Sequence, residues 1–223
     1  MVEDCAFCVE VEEGLSFDPV LNSLGAPRLP RILGENAEFI VLPSLGPLVD
    51  DHLLIVTKKH VPNFRSAGAA LRSNLLSATG QLAEKMVLRS GRTALVFENG
   101  SQLYRLGCVD HLHFHVLTLP AIIADRVLKR FSTDDLLSTA EMVAAPIRMD
   151  CDYVVLKIGI AQEWAMMTRP EIDRQLVRRL IAEEQGSPAG WNWRDAPNLD
   201  AVRLMVGELG PVVESAGFRR TTT

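Results

Sequence analysis

Long hydrophobic runs are missing from this 223-residue chain. Nothing approaches the roughly 18 apolar residues of a membrane-spanning helix. The opening Met-Val-Glu-Asp-Cys also lacks the basic-then-apolar order of a secretory leader. These absences lead us to expect a cytoplasmic protein with no membrane partner. Positive charge is not in excess either. A net charge of −5 argues against a protein that wraps duplex nucleic acid, whose electrostatic footprint is basic, and leaves room for a local anion site. Cysteine is scarce, with four residues, which excludes a disulfide framework. Cys5 and Cys8 form C-x-x-C while Cys108 and Cys151 stand alone, a usage that points to metal or redox chemistry. Internal repeats and low-complexity segments are absent. What remains, 48% hydrophobic and 23% charged residues, is enough for one good core or two small ones.

Histidine is scarce too, at five residues, but the five are not scattered. His111, His113 and His115 alternate with Leu112, Phe114 and Val116. A period of two belongs to a strand, whose successive side chains point to opposite faces. In a helix, at about 100° per residue, the three imidazoles would spread over more than half the circumference. The expected strand has an apolar face for the core and an imidazole face for chemistry. His52 and His60 bracket a second expected strand, 52–57.

Residues 37–42 read as a further strand, stopped by Pro43-Ser44-Leu45-Gly46-Pro47, and 93–98 as another, stopped by Asn99-Gly100. Between them, residues 65–89 place Leu71, Leu75, Leu82 and Met86 at helical spacing. Strands, then a helix, then strands predict an α+β fold: an antiparallel sheet with a long helix on one face and the other face open to a ligand. Residues 11–34 read as loop with one short strand. Beyond Pro120 the pattern changes. Residues 121–130 show no clear period. Ser132-Thr133-Asp134-Asp135 offers a cap for a helix to about residue 144. Residues 153–160 and 164–167 read as a hairpin. Thr168-Arg169-Pro170-Glu171 has the spacing of a capping box and predicts a helix closing at Gly186. A last helix is expected over 199–209, before a frayed tail from Ser215. The chain is thus expected to divide into a catalytic domain, 1–120, and a C-terminal α/β extension, 121–223, packed on that core.

One metal ion cannot hold all three alternating histidines. On a strand rising about 3.3 Å per residue, His111 and His115 stand roughly 13 Å apart, while zinc needs its ligand atoms within about 2.3 Å of one centre. The economical division gives one end of the strand to a metal. Cys5 and Cys8 with His60 and His111 would complete the closed Cys2His2 set of a structural zinc; the alternative for C-x-x-C is a pair of small apolar side chains at a terminus. Catalysis then falls to His113. A neutral imidazole is a good nucleophile toward phosphorus near pH 7 and can leave again from a covalent intermediate. His115 and His52 would donate hydrogen bonds to the phosphoryl oxygens, with backbone N–H groups around Gly107 and Cys108 as further donors.

At these residues the chain resembles the histidine-triad (HIT) superfamily, whose signature is His-φ-His-φ-His-φ-φ with φ apolar; residues 111–117 fit it at every position. The resemblance extends over roughly residues 5–120, through Cys5-x-x-Cys8, the 52–60 segment and the Phe97-Glu98-Asn99-Gly100 turn. It implies a HIT-like α+β fold, usually a homodimer, that binds nucleoside phosphates and hydrolyses them or transfers the nucleotidyl group through a nucleotidyl-histidine. By motif position His113 is the nucleophile, His115 and His52 assist, and Cys5, Cys8, His60 and His111 match the zinc ligands of many members. A third histidine, in place of the glutamine of the uridylyltransferase branch, inclines the reading toward hydrolysis. Three positions depart from the family pattern. Ser44 stands where many members carry a ribose-binding aspartate, Leu106-Gly107-Cys108 replaces a Gly-Gln-Ser run, and Glu98 aligns near a common asparagine. Ser44, Glu98, Asn99, Gly107 and Cys108 are the expected substrate contacts. The expected activity is hydrolysis at the α-phosphate of a nucleotide or nucleotide conjugate. A nucleotidyltransferase or phosphorylase using the same histidine, and a non-catalytic nucleotide-binding protein, are the alternatives. Trp191, Trp193 and Arg194 could close over a base and phosphate or pin the final helices to the core, and the sequence leaves both readings open.

Overall fold

A computed structural model of the chain describes residues 5–23, 25–100, 109–131, 135–144, 147, 150–160, 163–173 and 175–220. Its strands are β1 (Gly34–Glu35), β2 (Phe39–Pro43), β3 (Leu53–Thr57), β4 (Thr93–Gly100), β5 (His113–Leu119), β6 (Asp135–Ser138), β7 (Asp152–Ile158) and β8 (Glu163–Arg169). They form one sheet in the order β1-β2-β3-β5-β4-β7-β8-β6, with every pairing antiparallel. The fold is α+β, an antiparallel sheet with a long helix on one face, as expected. The central strands β3 and β5 are buried along their whole length, so only the alternation within β5 tells its two faces apart.

One face carries Phe39, Val41, Ile55, Val96, Phe114 and Val116. Across it lies α3 (Ala69–Ser90), whose buried residues include Leu75, Thr79, Leu82 and Met86 at helical spacing. Gly91 ends that helix in the left-handed conformation, its N–H donating to the Val87 carbonyl at 2.8 Å. The opposite face is divided. Toward β2 and β3, Ile40, Leu42, Leu54 and Val56 pack on Cys5, Phe7 and Cys8 of the N-terminal segment. Toward β4 and β7, Leu95, Phe97, Val154 and Leu156 pack under α4 (Ala121–Arg130) and α6 (Leu176–Glu184). The histidines of β5 come up between these two clusters.

Several expected elements are placed differently. The N-terminal C-x-x-C opens a helix, α1 (Ala6–Glu13), and a second short helix, α2 (Pro19–Ser23), follows in the stretch read as loop. Residues 121–130 are helical: Ala124 and Val127 are buried, while Ile122 and Leu128, exposed at 58% and 40%, obscure the period. Of the helix expected from Ser132 to about residue 144, residues 132–134 lie outside the described residues, and 135–138 take the open edge of β8 as β6. The capping box belongs to Ser138 and Glu141, which open α5 (Thr139–Ala144): Ser138 N–H donates to Glu141 Oε2 at 2.7 Å, and Glu141 N–H to Ser138 Oγ at 3.2 Å. Thr168 and Arg169 end β8 instead of capping a helix. α6 begins at Leu176 behind Gln175. After α7 (Leu199–Glu208) comes one further helix, α8 (Gly210–Ser215). Residues 216–220, expected to fray, are held in place, since Phe218 is buried and Arg219 exchanges two backbone hydrogen bonds of 2.8 Å with Glu35.

Candidate active site and metal centre

Cys5 caps α1 and Cys8 lies one turn on, so both thiols project from one side of the helix. They meet His60 and His111. Cys5 Sγ and Cys8 Sγ lie 3.3 and 3.6 Å from His111 Nδ1, and Cys8 Sγ lies 3.3 Å from His60 Nδ1. All four donor atoms fall within 4.8 Å of one another, a cluster that could hold a metal ion. The spacings match the edges of a tetrahedron with metal–ligand distances of about 2.0–2.3 Å. His111 Nε2 lies 2.6 Å from the Thr57 carbonyl, so it carries the proton and leaves the Nδ1 lone pair facing the sulfurs. Burial lowers the His111 pKa to about 4, keeping the imidazole neutral, and pushes the Cys5 thiol up to about 11. A cation among the four donors would favour the thiolate.

His111 itself precedes β5; only His113 and His115 belong to the strand. Both are buried, as is His52, which precedes β3. The hydrogen bonds assign the tautomers. His113 Nδ1 lies 2.6 Å from its neighbour's carbonyl, His111 O, and must donate to it, which leaves Nε2 with a lone pair. The second pair is opposite. Leu48 N–H donates to His52 Nδ1 at 3.2 Å, so the His52 proton sits on Nε2. That proton is donated to His115 Nδ1 at 2.9 Å, so His115 carries its own proton on Nε2. Burial holds all three neutral. It brings the His113 pKa down to about 4, Arg31 and Arg178 adding to the effect, and holds those of His52 and His115 well below the usual imidazole range. Phe97 of β4 fixes the His115 ring by parallel stacking, with centroids 4.3 Å apart. Adjacent imidazoles on one face thus offer one acceptor, on His113, and one donor, on His115.

A pocket opens over these two rings. Phe7 stands on one side, its ring centroid 5.1 Å from that of His113. Ser44 lines it as well; its hydroxyl donates to the Leu45 carbonyl at 3.1 Å and accepts from Arg178 Nη1 at 3.4 Å. Further walls come from residues that the sequence reading missed, among them Phe17, Arg31, Gln175, Arg178 and, beyond its ambiguous signal, Trp193. Arg31 is buried in a two-point ion pair with Glu10, at 2.7 and 2.6 Å. Arg178 reaches across from α6 to clasp the turn before β3, donating to Gly46 O at 2.6 Å and to Trp191 O at 2.8 Å. Gly46 has φ +54°, and a Cβ there would stand 2.6 Å from Trp193 Cα, so glycine is required. Arg194 lies over the Trp193 ring at 4.2 Å and pairs with Asp18 at 3.4 Å. The Trp-rich segment is therefore both an anchor and a pocket wall.

Glu98 is not brought to the histidines. On β4 it alternates with Phe97, so its side chain enters the α3 face, where Tyr153 OH donates to it at 3.0 Å and Phe64 N–H at 3.4 Å. Asn99 shares the face of Phe97 by alternation; its Oδ1 is buried with no hydrogen-bond partner among the described residues. Gly107 and Cys108 lie outside the described residues. Arg31 and Arg178 carried no sequence signal as pocket residues, since a charged residue beside an apolar stripe reads as solvated. Their burial follows from tertiary partners far away in the chain.

Comparison with known proteins adds the following. The HIT domain family matches residues 30–121, the span from before β1 to the start of α4. The bifunctional adenosine 5'-phosphosulfate phosphorylase/adenylylsulfatase HINT4 of Arabidopsis thaliana is 26% identical over 108 residues, covering 46% of this chain and 70% of that protein. Among solved structures, a Hit-like protein involved in cell-cycle regulation from Bartonella henselae covers 66% of this chain and 99% of its own, at 14% identity and a TM-score of 0.42. Yeast Ap4A phosphorylase Apa2 in complex with AMP covers 85% and 80%, at 17% identity and a TM-score of 0.47.

Proposed function

We propose, from the HIT domain match at residues 30–121, that this chain is a histidine-triad enzyme that cleaves a nucleoside phosphate or nucleotide conjugate at the α-phosphorus through a nucleotidyl-histidine on His113. The observation that carries the reading is the opposite protonation of the two β5 imidazoles. His113 Nε2 has the lone pair a nucleophile needs, while its Nδ1–H bond to His111 O supports the positive charge that develops as the N–P bond forms. The bond from phosphorus to the leaving group breaks, and that group departs with the electron pair. His115, held by His52, donates Nε2–H to the phosphoryl oxygens, whose charge grows in the transition state. Water then attacks the same phosphorus and loses a proton to solvent, the P–N bond breaks with its electron pair returning to Nε2, and His113 is restored.

Cys5, Cys8, His60 and His111 would hold zinc, which suits a soft Cys2His2 set. Its contribution there is structural, tying α1 to the residue that orients His113. The substrate is expected to be adenylated: the HINT4 relative is named for adenosine 5'-phosphosulfate. That name also supports a second reading, phosphorolysis, and the buried guanidinium groups of Arg31 and Arg178 close to His113 would suit an anionic acceptor in place of water. The homodimer that the resemblance implies is left to surfaces other than the β4 edge, which β7 occupies.

His113→Ala should lower turnover of α-phosphoryl substrates by about 10³-fold or more while leaving the circular dichroism spectrum and melting transition in place. Full activity in that variant overturns the assignment of the nucleophile. Mass spectrometry of wild type quenched during turnover should find a nucleoside monophosphate on His113. Product analysis with and without phosphate separates hydrolysis from phosphorolysis.

A further inference from the structure

The pocket wall contributed by the C-terminal segment contains a residue poorly matched to its own backbone. Gln175 has φ +50° and ψ +41°. A side chain with a Cβ is strained in this left-handed region, which glycine, and after it asparagine, tolerates best. Gln175 is also the N-cap of α6, a position that favours Ser, Thr, Asp, Asn or Gly, and its side chain makes no capping hydrogen bond. It is nevertheless buried, at 2% exposure, and lines the pocket together with His113 and Trp193. Glycine would serve the turn and asparagine the cap. Residues held against their backbone preference cluster where a ligand is gripped.

The amide is suited to one kind of ligand group. It is uncharged and offers both donors and an acceptor, so it reads hydroxyls, amines and ring nitrogens and not a phosphate alone. Neighbouring polar groups on this wall are tied into the fold. The Ser44 hydroxyl donates to the Leu45 carbonyl, and Arg178 is spread over Ser44, Gly46 and Trp191. Trp193 and Phe17 add flat apolar surface to the same pocket. We propose that Gln175 is a specificity-determining contact for the neutral, hydrogen-bonding part of the substrate, the sugar hydroxyls or the base edge of a nucleoside. This rests on the reaction assigned above to His113. It means that the segment beyond the HIT domain selects what that domain cleaves.

The test uses the full chain with Gln175→Gly and Gln175→Asn, both compatible with the left-handed backbone, and the isosteric Gln175→Glu, which preserves packing. The first two should melt at or a few degrees above the wild-type temperature. Their KM for a nucleoside phosphate should rise about tenfold, as one lost neutral hydrogen bond predicts, with kcat within about threefold. Discrimination of ribo- from 2'-deoxyribonucleotides should collapse if the contact is to the sugar, and discrimination among bases if it is to the base edge. Unchanged KM and unchanged discrimination, with His113→Ala still inactive, overturn this inference and leave the reaction standing. A fall in melting temperature in all three variants shows a structural role and likewise overturns it. A wild-type chain that binds no adenosine or uridine nucleotide in calorimetry overturns both.

Discussion

Glu98 is a carboxyl group where a carboxylate is poorly tolerated. Burial pushes its pKa up to about 8, against the downward pull of Tyr153, the Phe64 N–H, Arg65 and Arg72. One of its oxygens, Oε2, has no hydrogen-bond partner among the described residues. The folded state thus keeps a proton that the unfolded chain releases near pH 4.5. Folding stability from this group is fully present below that value and is lost as pH rises toward 8. Glu98→Gln cannot titrate. The stability of wild type relative to that variant should fall across this window by a few kcal/mol, at about 1.4 kcal/mol per pH unit at most. Urea unfolding of both proteins at several pH values between 5 and 8.5 measures the difference, and a gap that stays constant with pH contradicts the neutral buried acid. The same residue shows where sequence reading stops. Its alignment near the family's common asparagine placed it among the expected substrate contacts, while the two-residue period of β4 sends it to the other face of the sheet.

Helix α1 meets the histidine strand through the candidate metal cluster and through Phe7. Cys5 and Cys8 reach His111, and the carbonyl of His111 sets the tautomer of His113. Phe7, between the two cysteines, lays its ring against both imidazoles, at 5.8 Å from His111 and 5.1 Å from His113. We expect about one zinc per chain in protein purified without chelator, and its removal, or Cys8→Ser, should lower the melting temperature by several degrees and reduce kcat. Elemental analysis and thermal melts with and without chelator check this; a metal-free, fully active chain rules the structural zinc out. At this scale the sequence was legible wherever one pattern dominated. The alternation in 111–117 and the stripe of α3 gave their elements to within a few residues. It misled where two local signals competed. The cap was expected at Ser132, but it is Ser138 that has a glutamate three residues on and bonds to it, and the open edge of β8 takes 135–138 as a strand. Thr168 and Glu171 have capping spacing, yet Thr168 is paired with Tyr153 across the sheet. Arg31, Gln175 and Arg178 were illegible as pocket residues because their surroundings are assembled from segments far apart in the chain.

Across the whole molecule the sheet does not stop where the HIT domain does. β4 pairs on one side with β5 and on the other with β7, in register from Leu95↔Ile158 to Gly100↔Tyr153. Gly100 is fitted to that neighbour, since a Cβ there would stand 2.0 Å from an atom of the Tyr153 ring. We propose that residues 1–120 and 121–223 are one cooperative unit, the extension being packed on the catalytic segment and inseparable from it. A chain ended after residue 120 should be recovered mainly in the insoluble fraction, because it bares the hydrogen-bonding edge of β4 and strips the cover from Leu95 and Phe97. A soluble, monomeric 1–120 fragment with the full-length melting temperature contradicts this. The same arrangement sets a timetable for synthesis. As the chain leaves the ribosome, β2 to β5 can pair while residues 152–158 are still being made, and for that interval β4 waits with one side unmatched. Translation speed through residues 120–158, or a chaperone that shields the waiting strand, therefore becomes a determinant of yield that no property of the finished fold reveals.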